Sequence, residues 1–296
     1  MPVKLDHKLR EQISHSDAIF PITFFHDELA ALPNCSGPLH WHTDFEIATA
    51  VSGVLDFQVG REHIMLEAGD SIFVNGNMLH GIEQLSGDVP DPMPNIVFSG
   101  ALIAQQTSAI YQKYIQPIAS CDRLPFIVFN QKTNWHNEVN SLVKSIYRRM
   151  HEQSGCYEMA VQRELSIIFE YIFLHFEDLP KSEITRIQID AQIRTQKMLS
   201  YIYEHYAEAV TLEDIAGAAN ISCSEAGRCF NTYMGCSPVD ALIRYRLQTA
   251  HRLLSDKTLS LREISFVCGF NSVNYFSRQF RRTYGYTPSQ KRDLGK

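Results

Sequence analysis

Two imidazoles and two carboxylates fall at alternate positions in the segment LHWHTDFEI: His40, His42, Asp44 and Glu46. A further imidazole, His80, follows in NMLHGIE. In an extended strand residues two apart share a face, so this spacing predicts that the four line one side and that His80 reaches them from a returning strand. Trp41 and Phe45 then face away. Three chemistries are open to such a set. It can ligate a divalent transition metal, it can hydrogen-bond a polar small molecule, or its members can simply satisfy one another at the mouth of a barrel.

A second set of residues repeats. LEDIAGAANISCSEAGRCFNTYMGCSP begins at Leu212, and LREISFVCGFNSVNYFSRQFRRTYGYTP begins at Leu261. Phe230 and Phe280, Tyr233 and Tyr284, Gly235 and Gly285, and Pro238 and Pro288 hold equivalent places. Each copy reads as a short helix, a tight turn, a second helix, a glycine and a capped proline, the outline of a helix-turn-helix. Thr211-x-x-Asp and Ser260-x-x-Glu are capping boxes for the first helices. Ser222 and Asn271 or Ser272 cap the second helices, and Ser237-Pro238 and Thr287-Pro288 open the next ones. VDALIRYRLQTAHRLL would form one long helix between the copies. Phe230, Phe276, Phe280, Ile215, Ile264, Leu253 and Leu254 are expected to be core.

The elements that must position the first set are strands. FEIATAV, GVLDFQV, HIML, DSIFV and NIVFS are short, apolar and β-rich, with Gly53, Gly60, Gly69 and Gly76 between or beside them. They predict an antiparallel barrel or sandwich. PDPMP at 90–94 reads as a loop, because proline cannot serve a central ladder. Helical spacing begins near Asn134: Trp135, Val139, Leu142, Val143 and Ile146 form one stripe, and Leu165, Ile168, Phe169, Ile172 and Phe173 another, with a turn around Gly155. The pair closes a core or serves a dimer interface. The polar stretch 177–190 reads as a linker.

With 296 residues there is length for two domains. The net charge of −6 is uneven: residues 1–189 hold 13 Lys+Arg and 23 Asp+Glu, residues 190–296 hold 14 and 10. A basic end on an acidic body fits phosphate contact through one domain. Seven scattered cysteines, none in a C-x-x-C pair, read as reduced thiols of a cytoplasmic protein. The start lacks an apolar run, and neither a signal peptide nor a membrane span is expected.

Residues 195–292 resemble the DNA-binding domain of the AraC/XylS family of bacterial transcription regulators, carried by LEDIA, FNTYMGCSP, RYRLQTAHRLL, LREISFVCGF and YFSRQFRRTYGYTPSQ. The resemblance implies two recognition helices in successive major-groove segments. By alignment it makes Val273, Asn274, Ser277 and Arg278 base-reading, with Ser224, Gly227 and Arg228 at the corresponding places in the first copy. Arg281, Arg282, Lys291 and Arg292 would hold phosphates. Ala226 and Gly227 depart from the family pattern, so base specificity is expected mainly from the second copy.

His40, His42, Glu46 and Gly53 match the cupin pattern H-x-H-x3-E-x6-G. Gly69 and His80 match its second motif, while Asn75, Asn77 and Gln84 depart from it. This resemblance implies a small barrel that holds a small molecule, a carbohydrate by family habit.

The expectation is therefore an α+β multidomain chain. Residues 1–130 form a cupin-like antiparallel β-barrel, 131–178 a helical pair suited to dimerisation, 179–191 a linker, and 192–296 an all-α domain with two helix-turn-helix motifs. It would be a DNA-binding regulator, not an enzyme. Its partners would be promoter DNA, an effector on His40, His42, Asp44, Glu46 and His80, a second copy of itself and RNA polymerase. A divalent transition metal is the one cofactor considered. A metal-dependent cupin enzyme with an accessory DNA-binding domain is the alternative.

Overall fold

A computed structural model describes residues 19–28, 36–86, 92–183, 185–255 and 258–294. The N-terminal segment, Cys35, Pro90 and Asp91, on which sequence expectations fall, lie outside them. The chain divides between Ile189 and Asp190 into two compact units.

The first unit holds two antiparallel sheets. One has the order β1 (Ile22–Glu28), β8 (Pro92–Phe98), β3 (Phe45–Thr49), β6 (Ser71–Val74), β9 (Phe126–Phe129). The other runs β2 (Ser36–His40), β7 (His80–Ser86), β4 (Val54–Val59), β5 (Glu62–Glu67). All five strands expected from the pattern are present, and β1, β2, β7 and β9 are additional. Alternation decides what each strand buries. In β3, Ala48 joins Leu55, Phe57, Val59, Leu66, Ile72, Val74, Ile82 and Met93 in an apolar cluster drawn from both sheets, the barrel interior. Phe45 and Ile47 face the other way, into a core shared with the helices. That is why β3 and β6 are buried along their whole length.

The helices behind that sheet are α2 (Asn134–Glu152) and α3 (Tyr157–Leu174), which follow a short helix α1 (Gln116–Ala119). Val139, Val143, Ile146 and Tyr147 of α2, and Val161, Leu165, Ile168, Phe169 and Ile172 of α3, share one core with Ile47, Phe73 and Phe98. The predicted stripes therefore close a core within the unit. Tyr147 also reaches the sheet by hydrogen bonds, donating to the Ile47 carbonyl at 3.0 Å and meeting Thr49 Oγ1 at 3.0 Å, which in turn meets Ser71 Oγ at 2.8 Å.

Two expectations are corrected. Pro92 and Pro94 stand in β8, a strand with neighbours on both sides, rather than in a loop. The register explains how: Pro92 and Pro94 pair with Glu28 and His26 of β1, whereas pairing with β3 begins only at Asn95. The missing N–H groups fall where β8 has a single neighbour. The linker is also shorter than expected, because α4 (Arg186–His205) starts inside it. Thr185 and Gln188 exchange side-chain-to-backbone bonds at 2.7 and 3.3 Å, a capping box that the sequence reading passed over.

In the second unit α4 is followed by α5 (Leu212–Ala218), α6 (Cys223–Met234), α7 (Pro238–Leu253), α8 (Leu261–Val267), α9 (Val273–Tyr284) and α10 (Pro288–Leu294). Both capping boxes form, Thr211 with Asp214 and Ser260 with Glu263. Ser222 and Ser272 cap α6 and α9, and Gly235 and Gly285 end them in the left-handed region. Of the expected core residues, all are buried except Leu253, which is partly so.

Candidate functional site

The barrel cluster is built from three strands of two sheets. β2 ends at His40, a turn covers Thr43 and Asp44, and β3 starts at Phe45. His40 pairs with His80 across β2 and β7, while Glu46 comes from the opposite sheet, flanked by Val74 and Val97. One ligand atom from each of His40, His42, Glu46 and His80 lies within 4.8 Å of the others. The structure brings together four of the five expected residues, from several strands rather than along one, and leaves the Asp44 side chain outside the group. The Asp44 carboxylate is not in the cluster; its backbone carbonyl is what bonds the His42 ring.

The hydrogen bonds fix the chemistry of the two buried imidazoles. His42 Nδ1 lies 2.9 Å from the Asp44 carbonyl and His80 Nδ1 lies 2.8 Å from the Met78 carbonyl. A carbonyl only accepts, so each Nδ1 carries the hydrogen and donates. In the neutral ring Nε2 is then a bare lone pair. Both Nε2 atoms point at one oxygen, Glu46 Oε2, at 3.1 and 2.8 Å. With the rings protonated instead, burial pushes the Glu46 carboxyl up, but the His80 charge and the hydrogen bonds from His42 and His80 outweigh it, and the group is held well below the usual carboxylate range. A carboxylate facing two lone pairs needs a positive charge among them, supplied by ring protonation or by a cation. A metal fits. Backbone carbonyls on the outer ring nitrogens are what metal-bound histidines commonly have. Two ligands ~2.1 Å from one ion at about 90° are themselves ~3.0 Å apart. The Phe57 ring lies parallel to His80 at 6.2 Å and closes the site with an apolar wall.

The departures from the second cupin motif have local explanations. Asn75 Nδ2 donates to the carbonyls of Ile118 and Leu124, at 2.8 and 3.1 Å, tying the end of β6 to the α1 region. Asn77 adopts φ 64°, the left-handed conformation that asparagine tolerates better than most residues.

On the second unit the expected DNA-reading residues sit on the second helix of each motif. Ser224 and Arg228 are exposed on α6; Asn274 and Arg278 are exposed on α9, with Val273 and Ser277 half-buried beside them, and Arg281 and Arg282 are exposed further along. Ala226 and Phe276 are equivalent and fully buried, so Ala226 is a core position filled by a smaller side chain. The two copies hold their arginines differently. Arg278 lies over the ring of Tyr275, 5.5 Å from its centroid, which leaves the guanidinium edge available. Arg228 directs Nε and Nη2 to the Glu225 carboxylate, the former at 2.9 Å. Two other basic residues are structural. Arg246 donates to the carbonyls of Tyr206 and Glu208, both at 2.7 Å, and Arg292 donates through Nη2 to the Leu259 carbonyl at 2.7 Å.

A barrel with a buried ligating cluster joined to a duplicated helix-turn-helix defines a ligand-binding transcription regulator. Residues 215–293 match the helix-turn-helix domain family and residues 30–90 the cupin domain family. The chain is similar to the HTH-type transcriptional regulator YdeC of Bacillus subtilis (strain 168), at 27 % identity over 96 % of both chains. It is also similar to the HTH-type transcriptional activator RhaS of Escherichia coli O81, at 26 % identity over 87 % of this chain and 88 % of that one. Among solved structures, ToxT from Vibrio cholerae with an unsaturated fatty acid bound superposes with a TM-score of 0.47 at 15 % identity, covering 92 % of this chain and 93 % of its own. The chain thus carries a match to the helix-turn-helix domain family and a match to the cupin domain family, and along most of its length it is similar to HTH-type transcriptional regulators.

Proposed function

We propose that this regulator binds promoter DNA through α6 and α9 and is controlled by an effector taken up in the barrel, at a divalent transition metal held by His40, His42, Glu46 and His80. The observation that carries the metal reading is the convergence of two carbonyl-locked histidines on one Glu46 oxygen. Bound there, a metal supplies a Lewis-acidic centre for an oxygen ligand. The protein's part is to fix the ring tautomers through the Asp44 and Met78 carbonyls. Control requires that the effector bind two arrangements of the regulator with different affinity. Relatives that are transcriptional regulators along most of their length support regulation rather than catalysis as the role of the barrel.

On DNA, Arg278 and Asn274 are the base readers and Arg281 and Arg282 the phosphate contacts of α9, with Val273 and Ser277 beside them. Ser224 and Arg228 face DNA from α6. We further propose a cytoplasmic homodimer that acts with RNA polymerase. Met159 and Leu174 of α3, both well exposed, support pairing of two copies through that helix. No helix among the described residues is long and apolar enough to cross a membrane.

The test is metal analysis of the purified full chain alongside Glu46→Gln and His42→Ala. Stoichiometric iron, manganese, zinc or a related metal, lost in both variants, is expected. Metal-free wild type that cannot be loaded would overturn the metal reading and leave the DNA-binding reading intact.

A further inference from the structure

The inner face of the barrel carries a polar group that the metal cluster does not use. Asn95 of β8 pairs with Ala48, and Val97 pairs with Glu46. Residues two apart on a strand share a face and lie ~7 Å apart, so Asn95 projects into the same interior as Glu46, one step further in. Its surroundings there are apolar: Ala48 lies beside it in the sheet with Ile72 on the strand beyond, and Phe57 and Ile82 belong to the same interior cluster as these two. Asn95 is 6 % exposed, and its Oδ1 has no hydrogen-bond partner. Buried polar atoms are almost always hydrogen-bonded, which leaves this oxygen an acceptor in need of a donor within the barrel interior.

Charge narrows the class of ligand. A divalent ion on three neutral imidazoles and one carboxylate leaves a net charge of +1 by formal count. An uncompensated charge beside Phe57, Val74 and Val97 is unfavourable, so the molecule that completes the site carries one negative charge. The group that meets Asn95 must donate a hydrogen bond without restoring positive charge, which favours a hydroxyl over an ammonium. The hydroxyl must also stand clear of the metal, beyond the carbon next to the carboxylate.

We propose that the barrel binds a small hydroxycarboxylate, with its carboxylate at the metal held by His40, His42, Glu46 and His80 and its hydroxyl on Asn95 Oδ1. This rests on the metal reading above. A neutral sugar lacks the anionic end that the site calls for.

The test uses the full chain loaded with Co(II), whose visible spectrum reports ligand entry, titrated with 3-hydroxybutyrate and with butyrate. In wild type the hydroxy acid should bind at least about fivefold more tightly, the worth of one net hydrogen bond. Asn95→Leu should keep its Co(II) stoichiometry and bind both acids equally, and Asn95→Ala serves if the leucine variant does not fold. Equal affinities in wild type, no spectral change with either acid, or an advantage that survives in both Asn95 variants would overturn the proposal while leaving the metal site standing. Absence of a Co(II) spectrum in wild type would instead sink the metal reading beneath it.

Discussion

Arg228 and Arg278 occupy the same position in the two recognition helices, yet they should matter very unequally to DNA. α6 contains Glu225 and Arg228 and no other charge, while α9 contains Arg278, Arg281 and Arg282 and no acid. Arg228 gives two of its nitrogens to Glu225, whose second oxygen lies 3.6 Å from Arg194. Arg278 is supported by the face of Tyr275. Each cation that neutralises a phosphate contributes a slope of ~0.9 to the dependence of log K on log salt, a threefold to fourfold change between about 50 and 200 mM. Arg278→Ala should therefore lower the slope by up to ~0.9 on random-sequence duplex, and on a selected site it should cost a further roughly 5- to 150-fold if the contact is to a guanine. Arg228→Ala should change the slope far less, because its charge is already offset. Glu225→Gln removes an anion from the proposed DNA-binding helix and releases Arg228, so affinity should rise and the slope steepen by up to ~0.9. Fluorescence anisotropy across a salt series, with circular dichroism to check that α6 persists, measures all three. If Arg228→Ala and Arg278→Ala weaken binding equally, or if Glu225→Gln weakens it, the assignment of unequal roles is wrong.

Other expectations concern stability. A Cβ at Gly227 meets nothing within 4 Å, so Gly227→Ala should stabilise α6 by about 1 kcal/mol, visible as a higher melting temperature. At Gly269, where φ is +79°, a Cβ would collide with the Tyr206 carbonyl and the Arg246 guanidinium; Gly269→Ala should lower the melting temperature. Tyr147→Phe strips the hydroxyl that bonds Ile47 and Thr49 and should destabilise the barrel unit by roughly 1–3 kcal/mol. Burial, with Lys291 adding to it, pushes the His251 imidazole below its ordinary value. The unfolded chain then takes up the proton first, so this contribution is complete above about pH 6.5 and is lost as pH falls from there toward the lower folded value. On going from about pH 7.5 to 5.5 the wild type should lose more melting temperature than His251→Gln; equal losses would remove His251 as the source.

What was legible in the sequence divides along the same line as the two units. The helix-turn-helix pair could be read because its signals are local: caps, C-terminal glycines and core spacings lie within one motif, and their repetition supplies a check. The barrel depends on partners far apart in the chain. β9 pairs with β6 across more than fifty residues and was invisible as an isolated FIVF inside helical surroundings, while β2 and β7 have too little β-character to declare themselves. Asn95 was likewise readable only as part of an apolar strand; its significance needs the register that sets it beside Ala48.

The cluster follows the same logic, and it makes the barrel unit the more exacting half. His40 and His80 meet because β2 and β7 pair with those two residues in register, and Glu46 of the opposite sheet contacts His80 and His42. A slip of one residue in β7 would turn His80 to the other face and break the 2.8 Å contact with Glu46 while leaving every residue of the cupin motif in the sequence. Matching the motif is therefore weaker evidence for a metal site than the closed geometry of three strands. Metal capacity should in turn report whether the barrel has folded in that register. Glu46→Gln makes the distinction. It keeps the shape but removes the charge that a cation requires, so a barrel that folds and melts normally yet binds no metal would assign Glu46 to ligation. If the variant binds metal as well as wild type does, the convergence on Glu46 is a feature of packing alone.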